Sequence, residues 1–314
     1  MLRTAIRSAL YSLLFALAGG QAGCGAAGGA DVEQEAGLDV VVSIEPQRWL
    51  VERVGGDRVR ATVMVPPGQS PHGYEPVPAQ LFEVGRVDLY LAVGTGVEFE
   101  VAHLDALRES APSMKVVEIA ADVRLRDWSV QNHDGHGHGD GHHHGVADPH
   151  VWLAPANLRE MAGNVHDALA EADPAGAAGY RERAIALDAE LDRLDRDLRT
   201  LLKPRIGSGF LVVHPSWGYF ADAYGLRQLA VEEDGQQPGP AGLAEVITQA
   251  NRESIDTVFV SPQFDASAAQ VIAAEIGGQV VTVDPLAADV PAQLRALAEA
   301  LSSGSGTGQA PGGG

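Results

Sequence analysis

The sequence predicts an α/β fold of two lobes, each built on a mainly parallel four-stranded sheet, joined by one long helix. Three observations carry this: two sets of four short β-branched runs, helical patterns between the runs of each set, and one long amphipathic stretch between the sets. The first set is Leu38 to Ile44, Val59 to Val65, Val87 to Val93 and Lys115 to Ile119. The second is Phe210 to His214, Gln228 to Val231, Ile255 to Val260 and Gln279 to Val283. Short apolar runs alternating with helical stretches such as Pro240 to Asn251 read as strand and helix units whose crossovers leave neighbouring strands parallel.

The long stretch opens at Asp173-Pro174, a good N-cap and N1 pair, and runs to Pro204. Its apolar positions are Tyr180, Ala184, Leu187, Leu191, Leu194, Leu198 and Leu201, in steps of four and three that make one continuous stripe, with Arg, Asp and Glu on the opposite side. A single such helix between two α/β halves is expected to pack across both as a stiff connector that limits hinge closure. The domain plan that follows is 1–24 targeting segment, 25–37 tether, 38–172 first lobe, 173–204 connecting helix, 205–303 second lobe and 304–314 tail.

At 314 residues and 45% apolar content the chain can bury a real core in two modest domains. A formal net charge of −20 opposes binding to nucleic acid, which rewards clustered cations. It suits cationic partners, although salt screens the field beyond about 8–10 Å and selectivity must come from specific ligands.

The N-terminus has the pattern of an export signal: Arg3 and Arg7, a short apolar run from Ala9 to Ala18, then small residues. That run is too short to span a bilayer permanently. The single cysteine, Cys24, stands in Ala22-Gly23-Cys24-Gly25, so no internal disulfide can form. The segment resembles a bacterial lipobox, with Gln21 where an apolar residue is usual. The reading is a lipid anchor at Cys24, with ordinary signal cleavage nearby as the alternative, and either puts the mature chain outside the cytoplasm.

The eleven histidines fall into two populations. His133, His136, His138, His142, His143 and His144 lie in one Gly- and Asp-interrupted loop spanning 129–147, where imidazoles can hold zinc, copper or nickel loosely without preorganising one geometry. It is read as an accessory metal-binding tract, against a plain solvated loop.

The dispersed residues are more specific. His72 sits in Pro66-Pro67-Gly68-Gln69-Ser70-Pro71-His72-Gly73-Tyr74-Glu75-Pro76, where prolines restrict the backbone after a strand. His150 follows the His-rich loop in Asp148-Pro149-His150-Val151-Trp152, His214 ends the run Phe210-Leu211-Val212-Val213, and Asp284 ends Val280-Val281-Thr282-Val283. Ligands collect beyond the carboxyl ends of parallel strands, and three of these four positions follow strands. Singly, each is also what a hydrogen-bonded structural histidine or a turn aspartate looks like. Together, three imidazoles and one carboxylate make a tetrahedral set suited to Zn²⁺. His103 and His166 fall in helical patterns and are read as structural or surface residues.

The order of these landmarks, with Ser261-Pro262-Gln263-Phe264 and Asp284-Pro285-Leu286 added, resembles the substrate-binding proteins of zinc and manganese ABC importers (cluster A-I) over nearly all of residues 38 to 303. The resemblance implies two α/β lobes joined by a long helix and a metal in the cleft. It also implies His72 and His150 from the first lobe, with His214 and Asp284 from the second. It implies a periplasmic monomer that delivers its ion to a membrane permease and a separate ATPase. Pro71 stands before His72 where some zinc members carry an acid, which favours Asp284 as fourth ligand. Manganese members often carry Glu where His214 stands, so zinc is the first expectation and Mn²⁺ the alternative.

Other classes fit less well. No histidine is followed by glutamate, so the His-Glu-x-x-His helix of many zinc hydrolases is absent, and four protein ligands leave no place for an activated water. The two lysines, Lys115 and Lys203, follow Met114 and Leu202, so no Gly-Lys-Ser/Thr phosphate loop exists. The chain is expected not to be an enzyme. A metal buffer or adhesin that meets no permease is the remaining rival.

Overall fold

The computed structural model describes residues 37–128, 147–232 and 236–304. The first sheet is built from β1 (Leu38–Val42), β2 (Val59–Val63), β3 (Leu89–Ala92) and β4 (Lys115–Glu118), in the order β2-β1-β3-β4. The second comprises β5 (Gly209–Val212), β6 (Arg227–Ala230), β7 (Thr257–Val260) and β8 (Gln279–Thr282), in the order β6-β5-β7-β8. Every strand pair is parallel. The eight anticipated strands are all present; six are one or two residues shorter at one or both ends than the apolar runs suggest, and β5 and β6 start one residue earlier and end two and one residues earlier.

The central strands show why these runs are not alternating. All four residues of β3 and of β7 are buried, as expected for parallel strands covered on both faces. The covering helices are α1 (Glu45–Gly55), α2 (Pro78–Val84), α3 (Glu98–Ser110) and α4 (Pro155–Ala172), then α5 (Ala177–Leu202), α6 (Gly218–Tyr224), α7 (Pro240–Arg252), α8 (Ser267–Glu275) and α9 (Val290–Ser303). Several begin with proline in the first turn, and α9 is capped by the Asp289 carboxylate, which accepts from the Ala292 N–H at 3.0 Å. Among the described residues no helix is long and apolar enough to cross a membrane.

The connector is α5, and it differs from its sequence reading in two details. Asp173 does not cap it. The backbone of Asp173 closes the end of α4 instead, a turn over residues 174–176 intervenes, and α5 starts at Ala177. The Asp173 carboxylate binds Arg58 and the Tyr180 hydroxyl, and these partners, Arg58 first, hold it down at a pKa of about 2. At the far end the buried residue is Leu202, while Leu201 is 37% exposed. A straight helix drifts against a strict 3.5-residue repeat, so the stripe needs a step of four after Leu198.

Tyr180, Leu187, Leu191, Leu194, Leu198 and Leu202 belong to one apolar core that includes Val40 and Tyr90 of the first sheet and Phe210 and Phe259 of the second. Each fully buried leucine contributes roughly 1.5–3 kcal/mol. Polar ties on both sides fix the helix further: Arg183 donates to the Val54 and Gly55 carbonyls, and Tyr224 donates to Asp195. A second core, around Leu211, Val258 and Ile272, lies under α7 and α8.

Candidate metal centre

Each sheet has a point where its connections part in opposite directions, between β1 and β3 in one and between β5 and β7 in the other. Loops beyond such points leave a crevice. The β1 and β3 loops are tied together by α1 and α3. Gln47 accepts from the Ser43 and Ile44 N–H groups and donates to the Leu91 carbonyl. The Glu100 carboxylate accepts from the Val93 and Gly94 N–H groups and from the Ser43 hydroxyl, and burial raises its pKa. Gly94 has φ +82°, and a Cβ there would lie 2.6 Å from Glu118 Cβ, so this turn requires glycine.

His72, His150 and His214 come together: their ligand atoms all lie within 4.8 Å of one another. His72 lies in the loop after β2, His150 just before a short 3-10 turn at Val151–Leu153, and His214 just past β5. The rings of His72 and His214 are 4.9 Å apart, and those of His150 and His214 are 5.4 Å apart.

All three imidazoles are oriented in the same way. His72 Nδ1 meets Glu98 Oε2 at 2.7 Å, His150 Nδ1 meets Asp148 Oδ1 at 2.9 Å, and His214 Nδ1 meets Glu232 Oε2 at 2.8 Å. An ionised carboxylate only accepts, so Nδ1 carries a proton, and in the neutral ring of each histidine Nε2 presents its lone pair. A carboxylate behind a histidine in this way fixes the tautomer and raises the basicity of a metal ligand. Nε2 of His214 is buried and has no hydrogen-bond partner among the described residues. Such an atom costs about 1–3 kcal/mol unless something binds it, and a cation does.

Burial is also the main reason that the His214 pKa is pulled down to about 4. The Glu232 hydrogen bond opposes this, and the charges of His150 and His72 add to it. The ring is therefore neutral and ready to coordinate at neutral pH.

Aromatic rings wall the cluster. Phe264 stacks on His214 at 4.7 Å, and Trp128 stacks on His150 at 5.8 Å. Trp152 lies 5.4 Å from His150 and donates Nε1–H to the Pro285 carbonyl at 2.7 Å. His103, on α3, contacts the Tyr74 carbonyl at 3.0 Å and so braces the His72 loop, whereas His166 pairs with its chain neighbour Asp167.

Although it precedes α5 in the chain, His150 is held from both sides. Tyr219 on α6 donates to the Asp148 carbonyl and accepts from the Arg126 N–H. Arg126 also bonds Asp148 and Asp222. Gly218 makes room for this: a Cβ there would lie 2.4 Å from Arg126 and 2.7 Å from Asp148.

Asp284 is not among the three side chains that converge. Its Oδ1 accepts from Gln263 Nε2 at 2.8 Å and from the Leu286 N–H at 2.9 Å, and its own N–H donates to Gln293. Its neighbours are nonetheless joined to the cluster, Phe264 through His214 and Pro285 through Trp152. The sequence-read anchor Cys24 and the accessory ligands His133, His136, His138, His142, His143 and His144 lie outside the described residues.

Comparison with known proteins returns one family model, the periplasmic zinc-uptake complex component A (ZnuA), matched over residues 40–302. A high-affinity zinc uptake system protein of Yersinia pestis is 28% identical over 268 residues, covering 80% of this chain and 84% of that protein. A manganese-binding lipoprotein of Halalkalibacterium halodurans is 27% identical over 269 residues, covering 83% and 84%. Among solved structures, a zinc-bound deletion mutant of ZnuA aligns with a TM-score of 0.77 at 36% identity, covering 87% of this chain and 99% of that one.

Proposed function

Because the chain belongs to the family of the periplasmic zinc-uptake component, we propose that it captures Zn²⁺ between its two lobes outside the cytoplasm and delivers it to an ABC permease for import. The observation that carries this is the convergence of three imidazoles, each with its Nδ1 held by a carboxylate and one with a buried Nε2 that has no hydrogen-bond partner among the described residues. Three neutral nitrogens and one carboxylate form the N₃O set that suits tetrahedral zinc at about 2.0–2.2 Å. His72, His150 and His214 supply the nitrogens, and Asp284 is the fourth ligand that closes the set when the metal binds. Mn²⁺ is the second reading, favoured by the similarity to a manganese-binding lipoprotein.

Four protein ligands leave no open position for a hydrolytic water, so the site is a carrier rather than a catalyst. The His-rich residues 133–144 are accessory ligands, and Cys24 is the lipid anchor. Release follows from how the ligands are held. The His72 loop rests on α3 through Glu98 and His103, whereas His150 and His214 are tied to α6, Pro285 and Glu232. Docking on the permease withdraws His72 first and leaves an under-coordinated ion.

The test is zinc titration, with manganese as competitor, on protein lacking residues 133–144. One tight zinc equivalent retained is the expected result. Loss of all tight binding moves capture to the His-rich segment and ends the four-ligand reading. Failure to restore zinc-limited growth in cells lacking their own capture protein would favour a buffer or adhesin.

A further inference from the structure

We infer that Gln263 sets the metal preference of the site by confining Asp284 to one-oxygen coordination. This rests on Asp284 being the fourth ligand, as proposed above. A carboxylate binds a metal through one oxygen or through both, and the choice changes the coordination number by one. Zinc in structural and carrier sites is satisfied by four ligands, whereas manganese favours six with more oxygen. Whatever ties up one carboxylate oxygen therefore favours zinc.

Asp284 Oδ1 is tied up in this sense. It accepts two hydrogen bonds, from Gln263 Nε2 at 2.8 Å and from the Leu286 N–H at 2.9 Å, which engage both of its lone pairs. Oδ2 has no hydrogen-bond partner among the described residues and is the oxygen left for a cation. The amide cannot sit the other way round, because an inverted amide would point its oxygen at an acceptor-only carboxylate. Gln263 keeps this orientation although its own Oε1 is buried without a hydrogen-bond partner among the described residues. That position is one that a residue serving only to satisfy itself would not hold.

Gln263 is also rigidly joined to the cluster, since the next residue, Phe264, stacks on His214 at 4.7 Å and lies 6.5 Å from His72. It acts as a positioning residue that does not itself touch the ion. The Leu286 donor is backbone and cannot be lost by ordinary substitution, so Gln263 is the adjustable half of the clamp.

The experiment uses the full-length chain with Gln263→Met, which keeps the volume and removes the donor, and with Gln263→Ala should the methionine prevent folding. Two quantities are read at one equivalent of metal: the ratio of Mn²⁺ to Zn²⁺ dissociation constants, and the visible absorption of bound Co²⁺. Four-coordinate cobalt absorbs strongly, and five- or six-coordinate cobalt absorbs weakly. Loss of the donor is expected to move the ratio about tenfold toward manganese and to weaken the cobalt bands. Unchanged bands with a ratio within about twofold of wild type overturn the inference. Asp284→Ala separates the two levels of the argument. If it binds zinc as tightly as wild type with the same cobalt spectrum, the four-ligand site itself is wrong. If it loses zinc while the Gln263 variants match wild type, only the role of Gln263 falls.

Discussion

His214 and His72 reach the same cluster with the same chemistry and very different surroundings. Each holds its Nδ1 against a glutamate, at 2.8 and 2.7 Å. The His214 and Glu232 side chains are 7% and 5% exposed, whereas those of His72 and Glu98 are 37% and 54% exposed. Equal contacts are not of equal worth: water and salt screen the outer pair, while the inner pair acts in a low dielectric where orientation is held and an unmade bond is costly. The cluster thus has a buried floor, His214 with His150, and an exposed wall, the proline-rich loop bearing His72.

The largest effect that tests this contrast is removal of the proposed ligands themselves. His214→Ala is expected to weaken zinc on the order of a thousandfold, about 4 kcal/mol, by deleting a preorganised nitrogen from a dry site. His72→Ala is expected to cost about a hundredfold, mostly as faster dissociation measured by stopped-flow transfer to a chelator. Equal losses in the two variants would remove the distinction between floor and wall.

A smaller effect appears in the metal-free protein. The His214 pKa lies at about 4 in the fold and near 6.5 in the unfolded chain. Between those values the unfolded state takes up a proton that the folded state refuses, so stability falls as pH drops from about 6.5 to about 4. The full difference is about 3 kcal/mol. Chemical denaturation of metal-free protein at pH 7 and pH 4.5 should show this loss, and His214→Gln should remove most of it. A slope that survives in the variant would place the titrating group elsewhere.

Much of the floor was legible in the sequence. Parallel strands buried on both faces leave continuous β-branched runs, and positions after strand ends follow from topology, so His72 and His214 could be picked out in this way and His150 from its Asp-Pro-His-Val-Trp stretch, whereas Asp284, chosen by the same strand-end logic, is not among the side chains that converge. Asp148 stood in view two residues before His150. Glu98 and Glu232 did not, because they lie 26 and 18 residues from their histidines and only the fold brings them together. Trp128 had no periodic or motif signal to mark it. Gln263 stood inside a quoted motif, yet its amide acquires meaning only beside Asp284, 21 residues further on. The misplaced cap at Asp173 has the same origin: a local propensity for capping yields to long-range partners, Arg58 and Tyr180, that local sequence does not reveal.

The finest test keeps every ligand and alters only what stands behind it. Glu232→Gln and Glu98→Gln replace a carboxylate by an amide of the same shape, leaving an oxygen to accept from Nδ1 but removing the charge that makes the imidazole a better donor to metal. Outer carboxylates of this kind are worth about 10–100-fold in metal affinity. The buried Glu232 is expected near the middle of that range, about thirtyfold, and the exposed Glu98 at about threefold, since solvent already weakens its field. Raising the salt concentration sharpens the comparison, because it should shrink the Glu98 effect further and leave the Glu232 effect in place. Zinc competition titrations of both variants at low and high salt decide it. Equal, salt-independent losses would mean that the two carboxylates act by holding the rings in place, and that burial adds nothing to the charge behind His214.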